Sequence, residues 1–422
     1  MKEYKGLFKN RKFIYLLNSQ VLSQLTIQIM NFTLLIRLFS ETNSPLATSF
    51  LWVFYALPVV FIGPIASTSV DLLNRRKILI YSNLFQALTI LLFAIYNNPS
   101  VFLIYGVVMI YSSFNQFYVP AELASLPSLV KKHHLPSANG IFLITQQASI
   151  LVGFSIAGIL NSSIGFNNTL YLGSLLLFIA FISVIFLPQI KAKKVAKERY
   201  EKAFIGFFKK IFEGYKYIKN KRMVLAPLIL LIILNISLAV IVVNMPVIAN
   251  EILQIKLEIA GAMLVIPSAI GAGIAAVYIP KKLKRGIRKV NIIESSLITL
   301  TFSFAIFSIV VPQLVGSAKM LLSFIVLLSA GYSFVGIFIP TQTLLQEITP
   351  HELRGRVFGN MWFLMTIATI FPVIFSGTIS EIFGARFLIF ILTLGFLVIV
   401  LFLKNKGKEF ILNDFKIQKN EK

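Results

Sequence analysis

The sequence lacks cysteine and has few charged residues, and both deficits narrow the class of protein. None of its 422 residues is cysteine, which excludes a disulfide framework, cysteine-ligated zinc and a cysteine nucleophile. Only 13% of the residues are charged, whereas soluble domains have about 25%. The hydrophobic share is 57%, too high for a disordered chain. The composition therefore indicates an integral membrane protein, and 39 phenylalanines beside 2 tryptophans fit a lipid-facing helical chain.

Acidic residues are also scarce, and the imbalance gives the chain a strongly positive charge. It has 16 Asp and Glu against 40 Lys and Arg, a formal net charge of +24. In a soluble protein this excess would indicate nucleic-acid binding. No soluble surface of the required size is present here, so we predict no nucleic-acid partner.

Long apolar stretches dominate what the sequence does contain. A membrane-spanning helix needs roughly 20 mostly apolar residues. Twelve such stretches occur, at 13–38, 47–69, 78–97, 101–122, 138–160, 167–187, 223–248, 259–280, 291–312, 319–341, 357–379 and 385–403. Several contain proline or glycine, which membrane helices tolerate, and none shows the alternation of a transmembrane barrel. The sequence predicts an all-α integral membrane fold with twelve transmembrane helices.

The positions of the basic residues predict the orientation of these spans. With the N-terminus in the cytoplasm, 36 of the 40 Lys and Arg fall on the cytoplasmic side. The other side receives Arg37, Lys256, Lys319 and Arg386. This bias follows the positive-inside rule. It predicts a multi-pass protein of the cell (plasma) membrane with both termini in the cytoplasm. The first span lacks a small-residue cleavage site, so we interpret it as a retained helix.

One long break separates two halves of six spans each. The predicted organisation is an N-terminal six-helix bundle at 1–187, a linker at 188–222, a C-terminal bundle at 223–403 and a basic cytoplasmic tail at 404–422. In the linker, aromatic and aliphatic residues recur at near-helical spacing opposite lysines, which predicts an amphipathic helix on the inner leaflet in contact with membrane lipids. It could be a plain linker or a lipid sensor.

The two halves contain similar patterns, which favours an internal repeat. Pro58 and Gly63 of the second span correspond to Pro267 and Gly271 of the eighth, and Pro120 of the fourth corresponds to Pro340 of the tenth. Six plus six spans joined by a long inner linker is the layout of a parallel-repeat transporter. We therefore expect two bundles related by pseudo-two-fold symmetry, with a site near the midplane between them.

Four short runs carry a more specific signal. They are Gly63-Pro64 through Asp71 to Arg75-Arg76-Lys77, Pro120-Ala121 through Leu126-Pro127-Ser128-Leu129-Val130, Gly153 with Gly158, and Pro350 through Arg354-Gly355-Arg356-Val357-Phe358. In this order, across a twelve-span chain, they resemble the major facilitator superfamily. The closer resemblance is to its macrolide-efflux-type and enterobactin-exporter-like transporters. It extends from residue 13 to residue 403.

The resemblance implies transport by alternating access, with some of these residues at a cytoplasmic gate. Asp71 would hold the gate by facing the N-terminal end of span eleven, where the helix dipole favours negative charge, and Arg75 and Arg76 would join it. The alternative is a topology anchor, because basic loops follow many spans. Arg354 and Arg356 have the same two interpretations, gating or positioning of the turn before span eleven.

Small residues in the fifth span have two possible roles. Gly153 and Gly158 lie on a helix in which Ser149 and Ala157 continue a row of small side chains. Such rows let helices approach closely, so plain packing explains them. The resemblance implies an exporter-specific role for the same face.

Glu122, near the inner end of the fourth span, is the acid placed deepest in an apolar stretch. Ionisable groups inside the membrane are usually functional, which makes Glu122 a candidate proton carrier. It could instead be an interfacial acid paired with Lys131 or Lys132. Many proton-coupled relatives have an arginine in this span, where the present chain has Tyr111 and Phe114.

Neutral amides and aromatic residues predominate at the predicted midplane. An apolar cavity with few charges suits a lipophilic or amphiphilic substrate. Each amide could equally bond a neighbouring helix. The candidates for substrate contact are Gln24, Gln28, Asn31, Asn115, Gln116, Gln146, Asn235, Tyr332 and Trp362.

These observations predict a small-molecule transporter without a cofactor or metal. No nucleotide-binding loop of the GxxxxGK[ST] type and no metal-ligand or acyl-transfer cluster occurs, so we predict no enzyme activity. The predicted function is efflux of lipophilic compounds such as macrolide-type drugs, by proton antiport, in a monomer. Two alternatives remain open, an exporter of a specific metabolite such as a siderophore or lipid, and a non-transporting receptor or scaffold.

Overall fold

The computed structural model describes residues 6–96, 100–190, 222–349 and 354–404, and this part of the chain consists of helices joined by short turns. In chain order they are α1 (Arg11–Thr42), α2 (Pro45–Phe61), α3 (Gly63–Leu72), α4 (Arg75–Tyr96), α5 (Val101–Leu129), α6 (Leu135–Ile164), α7 (Phe166–Ile185), α8 (Arg222–Val243), α9 (Leu257–Lys284), α10 (Lys289–Ile309), α11 (Gly316–Ile348) and α12 (Arg354–Phe402). A π-helix, Ile248–Leu253, precedes α9. The predicted linker helix and the basic tail from 405 onward lie outside the described residues.

Local sequence signals explain where several helices begin and end. The Asn10 side chain accepts hydrogen bonds from the main-chain N–H groups of Lys12 and Phe13 and so caps α1. Ser100 caps α5 in the same way through the N–H of Leu103. Gly165, with φ of 85°, forms the turn between α6 and α7, a conformation that favours glycine. Polar or glycine residues at these boundaries therefore separate the apolar runs into individual helices.

Ten of the described helices are long and apolar enough to cross a membrane, and α2 is shorter. The chain is thus an all-helical integral membrane protein. The stretch predicted as one span at 47–69 is divided at Ile62 into α2 and α3. The stretches predicted as spans at 357–379 and 385–403 both lie in α12, which is interrupted at Gly384 with φ of 83°.

The described residues form two compact units. Unit 1 comprises 6–43, 50–190 and 257–262, and unit 2 comprises 44–49, 222–256 and 263–404. Two helices are therefore shared: α2 begins in unit 2 and continues in unit 1, whereas α9 begins in unit 1 and continues in unit 2.

Each unit has its own apolar interior. In unit 1, Phe13, Tyr118 and Leu126 belong to one buried cluster. In unit 2, one cluster is formed around Leu231, Leu345 and Met361, and another around Ala275, Ile279 and Ile292. Large apolar side chains are also exposed along the helices, among them Leu92, Phe102 and Phe371. An apolar exterior around a partly polar interior is expected for helices surrounded by lipid.

Candidate functional site

Glu122 is a buried carboxyl group on α5, with 3% of its surface exposed. Its Oε1 atom has no hydrogen-bond partner among the described residues. The ion pairs in that part of the chain are Arg37–Glu41 and Lys289–Glu347. Lys131 is exposed and does not pair with Glu122, and the Lys132 side chain lies outside the described set. Glu122 thus combines full burial with the absence of a basic partner among the described side chains.

A hydrogen-bonded group of uncharged side chains lies one helical turn from Glu122. The Tyr118 hydroxyl and Ser19 Oγ are 2.9 Å apart, and either can be the donor. Asn83 Nδ2 donates to Ser19 Oγ at 2.9 Å. All three side chains are completely buried. They come from α5, α1 and α4, so three helices of unit 1 contribute to one polar centre.

A second polar group lies further toward the N-terminal end of α5. The Tyr111 hydroxyl donates to Asn31 Oδ1 of α1. Asn31 and Asn115 also interact with the Tyr55 hydroxyl of α2. Two of the residues predicted for substrate contact, Asn31 and Asn115, are therefore brought together in unit 1 with the buried Tyr111 and the half-buried Tyr55.

The motif arginines at the start of α4 contact the main chain of unit 1. Arg75 Nη1 donates to the carbonyl of Ala124 at 2.7 Å, and Arg76 Nη2 donates to the carbonyl of Ile185 at 2.5 Å. Gly63 is the first residue of α3 and has open space around its Cα. Asp71 is in α3, and its side chain lies outside the described set, so its part in a gate stays a prediction.

The two glycines of α6 lie at close helix contacts. A Cβ on Gly153 would lie 2.6 Å from Gln28 Cβ of α1. A Cβ on Gly158 would overlap the main-chain carbonyl of Glu258, in the first turn of α9. Gly261, also in α9, meets the carbonyl of Phe154 in the same manner. These contacts give Gly153 and Gly158 a packing role, and the exporter-specific role stays a prediction.

Of the unit 2 candidates, two have hydrogen bonds within the unit. Asn235 Oδ1 accepts from Thr369 Oγ1 at 3.2 Å, and the Tyr332 hydroxyl accepts from Lys282 Nζ at 3.4 Å. The helix α12 contains Arg354, Arg356 and Trp362, whose side chains lie outside the described set.

The remaining candidates are distributed over unit 1. Gln24 is buried, and Gln28, Gln146 and Pro120 are partly buried. Gln116 Nε2 donates to the Ser112 carbonyl of its own helix at 3.4 Å. These glutamines are therefore not part of the two polar groups along α5.

The structure reveals several polar contacts that sequence reasoning missed. Glu381 Oε2 accepts from Ser44 Oγ at 2.6 Å and from the Leu46 N–H at 3.1 Å, which caps α2. Lys319 is 3% exposed, and its Nζ donates to Gln254 Oε1 at 2.9 Å. Sequence reasoning left Ser19, Asn83 and Tyr118 unassigned.

One available signal was the spacing on α5. Tyr111, Asn115, Tyr118 and Glu122 follow at intervals of four, three and four residues, which places them on one helix face. The arrangement can bind and release a proton at a carboxyl group surrounded by hydroxyls and amides. Among the described residues there is no group of three or more His, Cys, Asp or Glu that could hold a metal ion.

Comparison with known proteins is consistent with this architecture. Residues 16–372 match the model of the Major Facilitator Superfamily. YfiS, an uncharacterized MFS-type transporter of Bacillus subtilis (strain 168), is 25% identical over 391 residues, covering 90% of this chain and 89% of YfiS. Macrolide efflux protein A of Streptococcus pyogenes is 29% identical over 178 residues, or 41% of this chain and 44% of that protein.

Solved structures share the fold at low sequence identity. A crystal structure of the nucleoside transporter NupG has a TM-score of 0.69 at 16% identity and covers 93% of this chain and 99% of its own. A bacterial homologue of the lysosomal transporter Spinster, in an inward-facing and occupied conformation, has a TM-score of 0.73 at 11% identity and covers 96% and 98%. The family match extends over most of the chain, and the chain therefore belongs to the major facilitator superfamily of membrane transporters, which are not enzymes.

Proposed function

We propose that this transporter is a proton-coupled exporter of lipophilic or amphiphilic small molecules, macrolide-type drugs among them. It acts as a monomer in the plasma membrane, with both termini in the cytoplasm. The observation that carries the proposal is Glu122, a fully buried carboxyl group with one oxygen unpartnered among the described residues.

The energetic cost of Glu122 is the argument for its function. A charged side chain inside a membrane helix is costly, at most roughly 2.5–3.5 kcal/mol at the helix centre on insertion scales. Glu122 lies near the inner end of its span, where burial in the protein still removes it from water. An ion pair could offset this cost, and none with Glu122 occurs among the described residues. A proton removes the charge, so the carboxyl group is stable in the bilayer when protonated and can release the proton where water reaches it.

One such group is sufficient energetically. Moving one charge through 100 mV provides about 2.3 kcal/mol. Because about 1.4 kcal/mol corresponds to a tenfold ratio, this sustains roughly a 50-fold substrate gradient.

The proposed architecture has twelve membrane crossings in two six-helix bundles with pseudo-two-fold symmetry. This count takes α2 with α3 as one crossing and divides α12 at Gly384 into two. The bundles correspond to 1–187 and 223–403, with the basic linker 188–222 on the membrane surface and the tail 404–422 in the cytoplasm. Asp71, Arg75 and Arg76 are proposed to stabilise the cytoplasmic gate, and Arg354 and Arg356 to position the turn before α12.

Contacts of two glycines with the ends of the shared helices α9 and α2 support alternating access. Gly158 meets the main chain of α9 at Glu258, and Gly377 meets Ser49 and the Pro45 carbonyl of α2. Contacts of main chain against glycine involve no interlocking side chains, so they can form and separate with little rearrangement. We propose that these contacts separate during the transport cycle.

Two observations support a lipophilic substrate. The candidate contact residues Asn31, Asn115 and Asn235 are uncharged, and the aromatic rings of Tyr55 and Tyr111 lie beside the first two. The chain also resembles macrolide efflux protein A over 178 residues. An apolar site with a few polar groups is typical for drug-sized ligands.

Accumulation of a radiolabelled macrolide in cells tests the proposal. Cells that express the protein should accumulate less label than cells without it, and a protonophore should abolish the difference. Glu122→Gln should reach the membrane at normal levels and lose the protonophore-sensitive efflux. Glu347→Gln is the matched control, because Glu347 is an exposed acid that pairs with Lys289.

The outcomes separate the alternatives. Protonophore-sensitive efflux that survives in Glu122→Gln would exclude Glu122 as the proton carrier. If no macrolide or other amphiphile is exported, the favoured functions become export of a specific metabolite, such as a siderophore or lipid, and a non-transporting receptor or scaffold.

A further inference from the structure

The polar side chains of α5 form a continuous buried face. Tyr111, Asn115, Tyr118 and Glu122 are 1%, 7%, 0% and 3% exposed. At a rise of about 1.5 Å per residue they extend over about 16 Å of the helix. This is about half of the roughly 30 Å hydrocarbon core of a bilayer. Polar groups in a membrane helix need partners, so a face of this length requires an explanation.

Each end of this face has its own hydrogen bonds to neighbouring helices. Near Glu122, Tyr118 bonds Ser19, and Asn83 donates to Ser19. At the other end, Tyr111 donates to Asn31. Gln86 of α4, about one helical turn from Asn83, donates through Nε2 to the Tyr111 carbonyl at 3.2 Å.

Four buried oxygens beside this face accept no hydrogen bond from a described residue. They are Asn83 Oδ1, Gln86 Oε1, Asn115 Oδ1 and Glu122 Oε1. Leaving a buried acceptor unpaired costs about 1–3 kcal/mol, and four such groups in one helix bundle would be a large penalty. Amide and carboxylate oxygens only accept, so the partner of each must be a donor. Water supplies two donor hydrogens and commonly satisfies buried polar groups.

We propose that the polar face of α5 borders a hydrated proton path inside unit 1, in which Tyr118 and Ser19 relay protons to and from Glu122. The inference deepens the proposed function and rests on Glu122 as the coupling carboxyl group. Tyr118 and Ser19 pass the proton on and do not retain it.

The relay conserves protons at every step. A hydronium ion in the water near Asn115 gives a proton to one hydroxyl and is left as neutral water, while that hydroxyl passes its own proton to the next group as it accepts. The Glu122 carboxylate gains a proton and becomes a carboxylic acid. The reverse sequence returns the proton to water. The Tyr118–Ser19 bond can run in either direction, because either oxygen can be the donor, and a reversible relay requires this property.

Hydroxyl-radical footprinting of the full-length wild-type protein in detergent tests whether water is present beside the polar face of α5. X-ray radiolysis converts water into radicals that oxidise neighbouring side chains, including buried ones next to internal water. Tyr111 and Tyr118 should be oxidised at a rate comparable to exposed Tyr81. Phe13 and Phe32, equally buried, should remain unmodified. If Tyr111 and Tyr118 are as inert as these phenylalanines, the path is dry and the inference is overturned, whatever Glu122 does.

Proton movement in proteoliposomes tests the relay. The luminal pH is followed with a pH-sensitive dye while a macrolide is added as substrate. Tyr118→Phe and Ser19→Ala should each slow proton movement about tenfold, which corresponds to about 1.4 kcal/mol, and macrolide binding should be unchanged. Tyr81→Phe, on the exposed face of α4, is the matched control.

The result for Glu122→Gln distinguishes the inference from the proposed function. If Glu122→Gln stops proton movement and both relay variants leave it unchanged, the relay is wrong and the proposed function stands. If Glu122→Gln leaves proton movement intact, the proposed coupling fails, and the relay fails with it. A loss of macrolide binding in Tyr118→Phe in parallel with proton movement would indicate a merely structural role and overturn the assignment.

Discussion

The interiors of unit 1 and unit 2 differ in how they accommodate a buried ionisable side chain. In unit 1 the group is acidic: Glu122 has an oxygen without a partner among the described residues and is next to further unpaired amide oxygens. In unit 2 it is basic: Lys319 donates to Gln254, close after the π-helix that precedes α9. The Glu122 carboxyl group can therefore bind a proton or a water molecule, whereas the Lys319 ammonium group already has a hydrogen-bond acceptor.

The two buried groups differ in whether a hydrogen-bond partner holds them, and the two situations suit different roles. A buried group with a fixed hydrogen-bond partner stabilises one arrangement of the chain. A buried group without one is costly and is retained where it has a function. Under the proposed function, ion coupling belongs to unit 1, whereas Lys319 of unit 2 forms a fixed contact with Gln254.

The largest expected effect comes from glycines of α6 and α12 that contact the ends of the shared helices α9 and α2. Gly158→Val and Gly377→Val place side chains against the main chain of α9 and the start of α2. Overpacking costs about 1–3 kcal/mol or more, so transport should fall at least about tenfold in both. Drug efflux at matched expression is the measurement. Gly106→Val and Gly395→Val, which have open space, are controls, and equal losses in them would remove the argument.

Substitutions of Lys319 and Glu122 should change the free energy of unfolding in different directions. Lys319→Met removes the hydrogen bond from a charged donor to Gln254 Oε1 and should lower the free energy of unfolding by about 1.5–3 kcal/mol at most, because Gln254 is exposed and can bond water instead. Glu122→Leu removes an unpaired acceptor and should leave stability unchanged or raised. Thermal unfolding in detergent compares the two variants. Similar destabilisation in both would mean that Glu122 has a structural partner, and the contrast between the units would be lost.

A smaller effect is expected where Glu381 caps the start of α2. Glu381→Gln weakens a charged cap, which is worth about 1 kcal/mol. Hydrogen exchange of the amides from 46 to 49 should accelerate about fivefold. Glu41→Gln is the control, since Glu41 forms an exposed pair with Arg37 within α1. Unchanged exchange in Glu381→Gln would show that the cap does not hold this end of α2.

The smallest effect should follow from loss of the Asn235 bond in unit 2. Thr369→Val removes one neutral hydrogen bond, worth about 0.5–1.5 kcal/mol. Stability should decrease slightly and the range of exported compounds should be unchanged. A changed compound range, measured by growth inhibition with a panel of drugs, would instead place Asn235 at the substrate.

The membrane class and the helices could be predicted from the sequence because hydrophobic runs of fixed length reflect the thickness of the bilayer. The resemblance through Gly63, Pro120 and Arg354 likewise indicated the family that the comparison confirmed. The break at Gly384 falls in the gap predicted between the spans 357–379 and 385–403. The break at Ile62 was not predicted, because it occurs within one continuous apolar stretch.

The polar centre of unit 1 was predictable only in part. Glu122 was identified because acids are rare in apolar stretches. Ser19 and Asn83 were missed, since serine and asparagine are common in membrane helices. Their importance arises from contacts 99 and 64 residues apart in sequence, and no local pattern encodes which helices become neighbours.

The shared helices also affect the order in which the protein can be assembled. Unit 1 includes residues 257–262, which the ribosome makes only after the linker and α8. Unit 2 in turn includes residues 44–49, which are made before most of unit 1. Neither half of the chain encodes a complete unit, so two separately expressed halves would have to meet before either could reach its final packing.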